Sequence, residues 1–160
     1  MLDDLARGMS ISPAGFGLST HNAIAAQYTI VRGLPVNYLC VSAGKGTAEA
    51  AIIEAQCLLA DGASDVLVVN YDSALPDAYS SFADEPECDF AWAWRVASGS
   101  ANAIDGDGPL LSLTPSAGSA RGELAQGLPH GLEVLRFALS DEQSLEHCDD
   151  GRTWRWEKHV

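Results

Sequence analysis

The sequence predicts an α/β fold with a mixed, mostly parallel sheet, a buried central helix and C-terminal antiparallel hairpins. Two runs rich in β-branched residues, 36–43 and 66–73, flank a helical stretch that ends at Gly62. This strand–helix–strand order, with near-continuous apolar strands, is typical of a parallel crossover buried on both faces of its sheet. The 160 residues, 47% of them hydrophobic and 19% charged, suit one packed domain.

The central helix is apolar on two sides. A broad stripe suited to packing on a sheet consists of Ala48, Ala51, Ile52, Ala55, Leu58 and Leu59. A narrower stripe roughly opposite consists of Ala50, Ile53, Cys57 and Ala60. We expect a second surface, from this chain or another, to cover the narrower stripe.

A first helix is predicted over 22–32, after a loop rich in glycine, serine and proline. Ser19 and Thr20 are its candidate N-caps, and Gly33 is placed to end it. A second loop, 74–89, contains two prolines that oppose regular structure.

The C-terminal part predicts short strands and one helix. Strands over 90–97 and 109–114 are expected to form a hairpin, with turn residues at 106–108. A helix is predicted over 132–139. The last segment, 144–158, reads as a hairpin turned at Asp150 and Gly151, with Trp154 and Trp156 on one face.

Charge excludes several classes of partner. The net charge is -13, and residues 61–150 carry seventeen acidic residues against three arginines. Because nucleic-acid affinity comes mainly from basic side chains that displace counterions, nucleic acid and anionic lipid are not expected partners. The rest of the chain is nearly neutral, and there we expect a protein contact.

Cysteine and histidine spacing predicts neither a disulfide framework nor a metal site. Four cysteines occur without a CxxC pair, and the four histidines are equally dispersed. The chain therefore reads as reduced and cytoplasmic, with no cofactor. No apolar run approaches the roughly 20 residues of a membrane-spanning helix.

The segment SAGKGT, 42–47, lies where phosphate-binding loops occur. A phosphate loop requires glycine five residues before its Gly-Lys pair, and Leu39 occupies that position. Nucleotide binding by 44–47 stays an alternative. Another alternative is a stand-alone acyl-transfer or condensing enzyme with Cys40 as an unorthodox nucleophile, although free cysteine is more often a small buried hydrophobe.

Lys45 is an unfavourable residue for the first turn of a helix, because a cation there opposes the helix dipole. It either pairs with Glu49 one turn on or reaches a carboxylate or carbonyl of a partner protein. His21 and Asn22, at the mouth of the first helix, either satisfy backbone ends or line a pocket.

The order of these features resembles the N-terminal half of a thiolase-fold β-ketoacyl synthase. It is most similar to the ketosynthase-like chain-length factors of aryl polyene clusters, which share an SPxxFSLSxHNA opening and a closing DGxxWxW segment. Here the opening is SPAGFGLSTHNA, from Ser12 to Ala23, and the close is DGRTWRW, from Asp150 to Trp156. The resemblance implies a thiolase-like half-fold over residues 1–160, without the first strand and helix that such relatives carry.

The resemblance also implies that the nucleophile is absent. Counting back from Gly62 places Lys45 where a ketosynthase has its cysteine, and a slip of one or two residues gives Gly44 or Ala43. None of these can form a thioester, and the family's two histidine motifs are not found. The implied function is a non-catalytic subunit, so no catalytic residue is expected.

In thiolase-fold dimers the strand before the nucleophile pairs with its mate. The resemblance therefore implies a heterodimer with an active β-ketoacyl-ACP synthase, in which this chain shapes the acyl pocket for aryl polyene, fatty acid or polyketide-like products. The acyl carrier protein would dock mainly on the catalytic partner, since this chain is acidic. Pocket candidates are His21, Asn22, Ile53 and Cys57. The expected interface residues are Val36, Asn37, Tyr38, Leu39, Cys40, Val41, Ser42, Lys45 and Glu49.

Overall fold

The structure is a computed structural model that describes residues 2–99, 108–118, 127–149 and 151–159. The chain divides into two compact units, Met1–Val41 and Ser42–Val160. Within the described residues, no helix combines the length and the apolar character needed to cross a bilayer.

The first unit contains three helices: α1 (Leu2–Ala6), α2 (Pro13–Leu18) and α3 (Ala23–Arg32). The Ser12 hydroxyl accepts a hydrogen bond from Gly15 N at 3.3 Å and so caps the start of α2. Gly33 ends α3 with a left-handed φ of 61°, which confirms its predicted role because glycine adopts this conformation without steric cost.

The predicted caps of α3 were wrong. The hydroxyl of Ser19 donates to Phe16 O at 2.7 Å, and that of Thr20 donates to Gly17 O at 2.9 Å. Both hydroxyls therefore satisfy carbonyls near the end of α2, whose last residue is Leu18. Asn22 is the N-cap residue of α3, without a side-chain cap.

The predicted strand over 36–43 is not formed. Residues 36–42 have no regular secondary structure, and no strand of the described chain pairs with them. A strand needs a neighbour to hydrogen-bond with, and β-branched composition alone does not supply one.

The second unit begins with a helix and continues as strands with a further helix. Between the first two strands lies a 3₁₀ helix, Asp77–Phe82. The elements are α4 (Thr47–Ala60), β1 (Val66–Asp72), β2 (Phe90–Val96), β3 (Leu110–Ala117), α5 (His130–Leu139), β4 (Ser144–Asp149) and β5 (Arg152–His159).

Strand pairing in the described residues is antiparallel, so the expected parallel crossover from 36–43 to 66–73 is wrong. β1 pairs with β2, and a second sheet has the order β3-β5-β4. β1 also alternates between buried and exposed residues instead of being covered on both faces.

The predicted hairpin between 90–97 and 109–114 was wrong in its pairing, although both strands exist. β2 pairs with β1, and β3 pairs with β5. The connection between them is too long to force a hairpin register. Residues 106 and 107 of the predicted turn lie outside the described residues.

The C-terminal hairpin is confirmed. β4 and β5 pair antiparallel, with Asp149 opposite Arg152. Gly151 in the turn has a φ of 78°, and Asp150 lies outside the described residues. Trp154 and Trp156 share a buried face, as predicted.

The core lies where α4 and α5 meet the two sheets. The broad stripe of α4 is buried as predicted at Ala48, Ile52 and Ala55, with Ala51 packed against it. Large side chains from the other elements complete the core, and they are Val68, Trp92, Val134, Phe137 and Trp156.

α5 begins at His130, two residues before the predicted start, because a distant carboxylate caps it. Glu85 Oε2 accepts a hydrogen bond from His130 N at 2.7 Å, and a negative charge at a helix N-terminus is favourable. The next residue, Gly131, allows a close approach to β1 and β2. A Cβ there would lie 2.8 Å from Phe90 Cζ and 3.1 Å from Asn70 Oδ1.

Two apolar surfaces stay open. On β1, Leu67, Val69 and Tyr71 are 63%, 53% and 47% exposed. On α4, the narrower stripe is half-buried at Ile53 and exposed at Cys57, so the described chain leaves this stripe partly uncovered.

Replacing Gly131 by alanine should destabilise the protein by about 1 to 3 kcal/mol, the usual cost of overpacking. The added methyl group would push Phe90 and Asn70 away from α5. Urea unfolding followed by circular dichroism measures the change. Gly17→Ala is the matched control, since Gly17 is also helical and a Cβ added to it would have nothing within 4 Å. Equal unfolding midpoints for the two variants would contradict the close approach.

Candidate functional site

The turn before α4, residues 43–47, occupies the position at which the sequence predicts a degenerate nucleophile. Gly44 has a φ of 56°, and Thr47 N donates to Gly44 O at 3.2 Å. The Thr47 hydroxyl also donates to Gly44 O at 2.6 Å and accepts from Ala43 N at 3.0 Å. The turn thus closes on itself through hydrogen bonds within 43–47.

Lys45 precedes the helix instead of opening it. Gly46 is the N-cap of α4, so the expectation that Lys45 stands in the first helical turn was wrong. A Cβ on Gly46 would lie 3.6 Å from Trp154 Nε1 and 3.8 Å from Asp149 Oδ2. The turn therefore lies against the ends of β4 and β5 at the C-terminal hairpin.

Glu49 is the centre of a buried polar cluster that the sequence did not reveal. Its Oε1 accepts hydrogen bonds from His130 Nε2 at 2.6 Å and from Trp156 Nε1 at 2.9 Å. The Glu49 side chain is 0% exposed and that of His130 is 2% exposed. One carboxylate oxygen therefore joins α4, α5 and β5.

His147 of β4 completes this arrangement. Its imidazole stacks on that of His130, with ring centroids 3.5 Å apart and an angle of 15° between the planes. We call Glu49, His130, His147 and Trp156 together the Glu49 cluster.

Three buried polar atoms of the Glu49 cluster have no hydrogen-bond partner among the described residues. They are Glu49 Oε2, His130 Nδ1 and His147 Nε2. Glu133 Oε2 lies 3.8 Å from His130 Nδ1, too far for a hydrogen bond but close enough for charge attraction.

Electrostatics favours an ionised Glu49. Burial raises the pKa of its carboxyl, but the hydrogen bond and charge of His130, with the hydrogen bond of Trp156, outweigh burial and hold the pKa below its ordinary value of 4.5. The pKa of His147 is also lowered, to below its ordinary value of 6.5. Burial is the largest cause and the charge of His130 is the second.

The Glu49 cluster is therefore suited to holding elements together. No group of three or more possible ligands in the described part of the chain is arranged to bind a metal ion. Glu49 and His130 are closed off from solvent, so a substrate could not touch either side chain in this conformation.

Glu49 is an expected interface residue and one possible partner of Lys45, and the burial of its side chain contradicts both expectations. Its carboxylate is enclosed by residues of the same chain and is hydrogen-bonded to His130 and Trp156. Glu49 is therefore removed from the predicted interface.

The other predicted interface residues are largely accessible. Val36, Tyr38 and Leu39 are 57%, 40% and 59% exposed. Asn37 and Ser42 are also exposed, whereas Cys40, Val41 and Lys45 are half-buried.

The four pocket candidates fall in different units of the chain. His21 is exposed and Asn22 is half-buried in the first unit, while Ile53 and Cys57 lie on α4 of the second. Their assembly into one pocket stays a prediction.

Sequence reasoning missed the Glu49 cluster because its contacts are remote. His130 is 81 residues and Trp156 is 107 residues from Glu49. The available signal was local: Glu49 directly follows Ala48 of the buried stripe, and an ionisable residue at the border of such a stripe needs a partner if it is buried.

Replacing Glu49 by alanine should destabilise the protein by about 3 to 5 kcal/mol, the range for breaking a buried pair by removing one partner. His130 and Trp156 would then lose their common acceptor. Chemical unfolding of the full chain measures the loss. Glu54→Ala on the same helix is the control, with an expected change within about 0.5 kcal/mol. A loss of the same size in both variants would show that the Glu49 cluster contributes little.

Comparison with known proteins places the chain in a family. Residues 1–157 match the model of the β-ketoacyl synthase N-terminal domain. A comparison with curated protein sequences found no match.

The chain is also similar to a solved structure described as the ketosynthase ApeO in complex with its chain length factor ApeC, from Xenorhabdus doucetiae. The TM-score is 0.80 and the sequence identity is 30%. The match covers 98% of this chain and 61% of the other, so this chain spans less than two thirds of the length of its relative. The mixed α/β fold is accordingly the thiolase-like fold of ketosynthases, and the chain belongs to the β-ketoacyl synthase N-terminal domain family.

Proposed function

We propose that this chain is a non-catalytic chain length factor that pairs with an active β-ketoacyl-ACP synthase. The observation that carries the proposal is the similarity, over 98% of the chain, to a protein from a ketosynthase–chain length factor complex. The pair would act in the cytoplasm on aryl polyene or related fatty acid or polyketide-like intermediates.

The composition of the 43–47 turn supports a non-catalytic role. Counting back from Gly62 assigns the nucleophile position to Lys45, or to Gly44 or Ala43 after a slip of one or two residues, and none of the three carries a thiol or hydroxyl. The one hydroxyl in the turn, that of Thr47, is engaged by Gly44 O and Ala43 N. A thioester intermediate has no side chain here on which to form.

The segment 36–42 supports a partner interface. It is rich in β-branched and aromatic residues, and its backbone pairs with no strand of the described chain. An unpaired segment of this composition is a ready template for a strand from another chain. The ketosynthase would supply that strand, with Lys45 of the adjacent turn reaching one of its carboxylates or carbonyls.

The partly open stripe of α4 would line the acyl pocket. Ile53 and Cys57 lie on this stripe, and apolar side chains are what a growing acyl chain requires. Enlarging or filling this surface would change the length of product that fits. The net charge of -13 would direct the acidic carrier protein mainly to the catalytic partner.

The test is co-expression with an active β-ketoacyl-ACP synthase. We expect a one-to-one complex on size-exclusion chromatography. Leu39→Asp should weaken the complex at least about tenfold in Kd, equivalent to about 1.4 kcal/mol, because it places a charge in the middle of the proposed interface. Leu139→Asp is the matched control, since Leu139 is 79% exposed at the end of α5 and lies outside the interface set.

Two outcomes would count against the pairing. In one, the chain stays alone when both proteins are present. In the other, Leu39→Asp and Leu139→Asp weaken the complex equally, which would move the interface away from 36–42.

A labelling experiment separates this proposal from a stand-alone enzyme. The isolated chain is incubated with an acyl-carrier thioester, and its peptides are examined by mass spectrometry. We expect no acyl group on Cys40 or elsewhere, whereas a ketosynthase incubated in a parallel reaction becomes acylated at its cysteine. An acylated Cys40 peptide would support the enzyme alternative instead.

A further inference from the structure

We propose that the Glu49 cluster is an acid-sensitive latch, in which protonation of His147 releases α5 and the β4–β5 hairpin from α4. The proposal does not depend on pairing with a ketosynthase, because every group in it belongs to this chain. It rests on the stacked histidines, the single carboxylate beside them and the buried atoms that have no partner.

The geometry provides no hydrogen-bonding carboxylate for a charge on His147. The two imidazoles are stacked with centroids 3.5 Å apart, and Glu49 Oε1 is hydrogen-bonded to His130 alone of the two. A proton added to His147 places its positive charge face to face with the His130 ring. His147 is half-buried, so this charge also loses part of its hydration.

The unpartnered atoms point to the same conclusion. His147 Nε2 is buried and has no acceptor among the described residues. A proton added to Nε2 would create a buried cationic donor without a hydrogen bond, which is costly. Opening the cluster to water would relieve this cost.

The other charged groups around His147 include some that raise its pKa and one that lowers it. Asp149, on the same strand, and Glu49 favour its protonated form, whereas Lys45 in the 43–47 turn disfavours it. On β5, Trp154 lies opposite His147, and Trp156 belongs to the Glu49 cluster. Neither indole carries a titratable proton near neutral pH. Burial and the charge of His130 prevail, so the pKa of His147 is lowered.

The groups facing His130 also have to be considered. Glu133 of α5 lies 3.8 Å from His130 Nδ1, and Glu85 is hydrogen-bonded to His130 N. Burial raises the pKa of Glu85, against the effect of that hydrogen bond. A raised carboxyl pKa adds stability as the pH falls, so Glu85 partly offsets the latch, and the two contributions must be separated by a variant.

The direction in which His147 changes the folding stability with pH follows from its proton binding in the folded and unfolded states. Its pKa is about 6.5 in the unfolded chain and lower in the folded chain, so the unfolded or opened form binds the proton first as the pH falls. Stability from His147 is fully present above pH 6.5 and is lost as the pH falls through the folded pKa. Glu49 contributes in a separate range, below its ordinary pKa of 4.5.

The latch also predicts where opening occurs. The Glu49 cluster joins α4 to α5, β4 and β5, whereas β1 and β2 are held by their own ladder of seven residue pairs. Acid should therefore expose amides of α5 and the β4–β5 hairpin before those of the β1–β2 pair.

Hydrogen exchange of the full chain at pH 7.5 and pH 5.5 tests this. After correction for intrinsic exchange, protection in α5 and the β4–β5 hairpin should fall by up to about tenfold, the limit set by a pKa of 6.5 in the opened form. Protection in β1–β2 should change less. In His147→Gln the fall in α5 should be abolished, since glutamine does not titrate, while the contribution of Glu85 stays.

His159→Gln is the matched control, because His159 lies in the same sheet and contacts Ser112 Oγ instead of the Glu49 cluster. It should keep the wild-type loss of protection. Histidine NMR on the unmodified chain adds a measurement that needs no variant, and we expect the pKa of His147 below 6.5. A pKa at or above 6.5, equal loss of protection in all strands, or an unchanged response in His147→Gln would each overturn the latch.

Discussion

The second unit depends on one carboxylate oxygen. Glu49 Oε1 accepts hydrogen bonds from His130 and Trp156, and through these two contacts α4 is fixed to α5 and to β5. Apolar packing alone would permit small displacements between these elements, since it is not directional. Two hydrogen bonds to a single buried acceptor specify one arrangement, because any shift leaves a buried polar group unpaired.

This constraint also fixes the turn at the head of α4. Glu49 lies in the first turn of the helix, and the 43–47 turn precedes it directly. Holding Glu49 in the interior therefore sets where Ala43, Gly44 and Lys45 emerge. The turn contains no cysteine, and the support that Glu49 gives to α4 holds Ala43, Gly44 and Lys45 in place.

Features determined by neighbouring residues could be predicted from the sequence. Gly33 ends α3, the apolar stripe of α4 faces the core, and Gly151 turns the C-terminal hairpin. Each depends on a local conformational preference or on helical periodicity. The resemblance at the two ends of the chain identified the family for the same reason, because its motifs are contiguous.

Features determined by remote partners could not be predicted. Residues 36–43 have strand composition, but a strand requires a neighbour, and the described chain does not supply one. The sequence predicts β2 and β3 as strands but pairs them with each other. Alternation of apolar and polar residues identifies a strand without identifying the strand beside it. The Glu49 cluster is the extreme case, since no spacing links Glu49 to residues 81 and 107 positions away.

The open side of β1 has a consequence for the fate of the chain in a cell. Leu67, Val69 and Tyr71 present an apolar row to solvent, and such surfaces are bound by chaperones and favour aggregation. Covering this row with another apolar surface would therefore lower both risks.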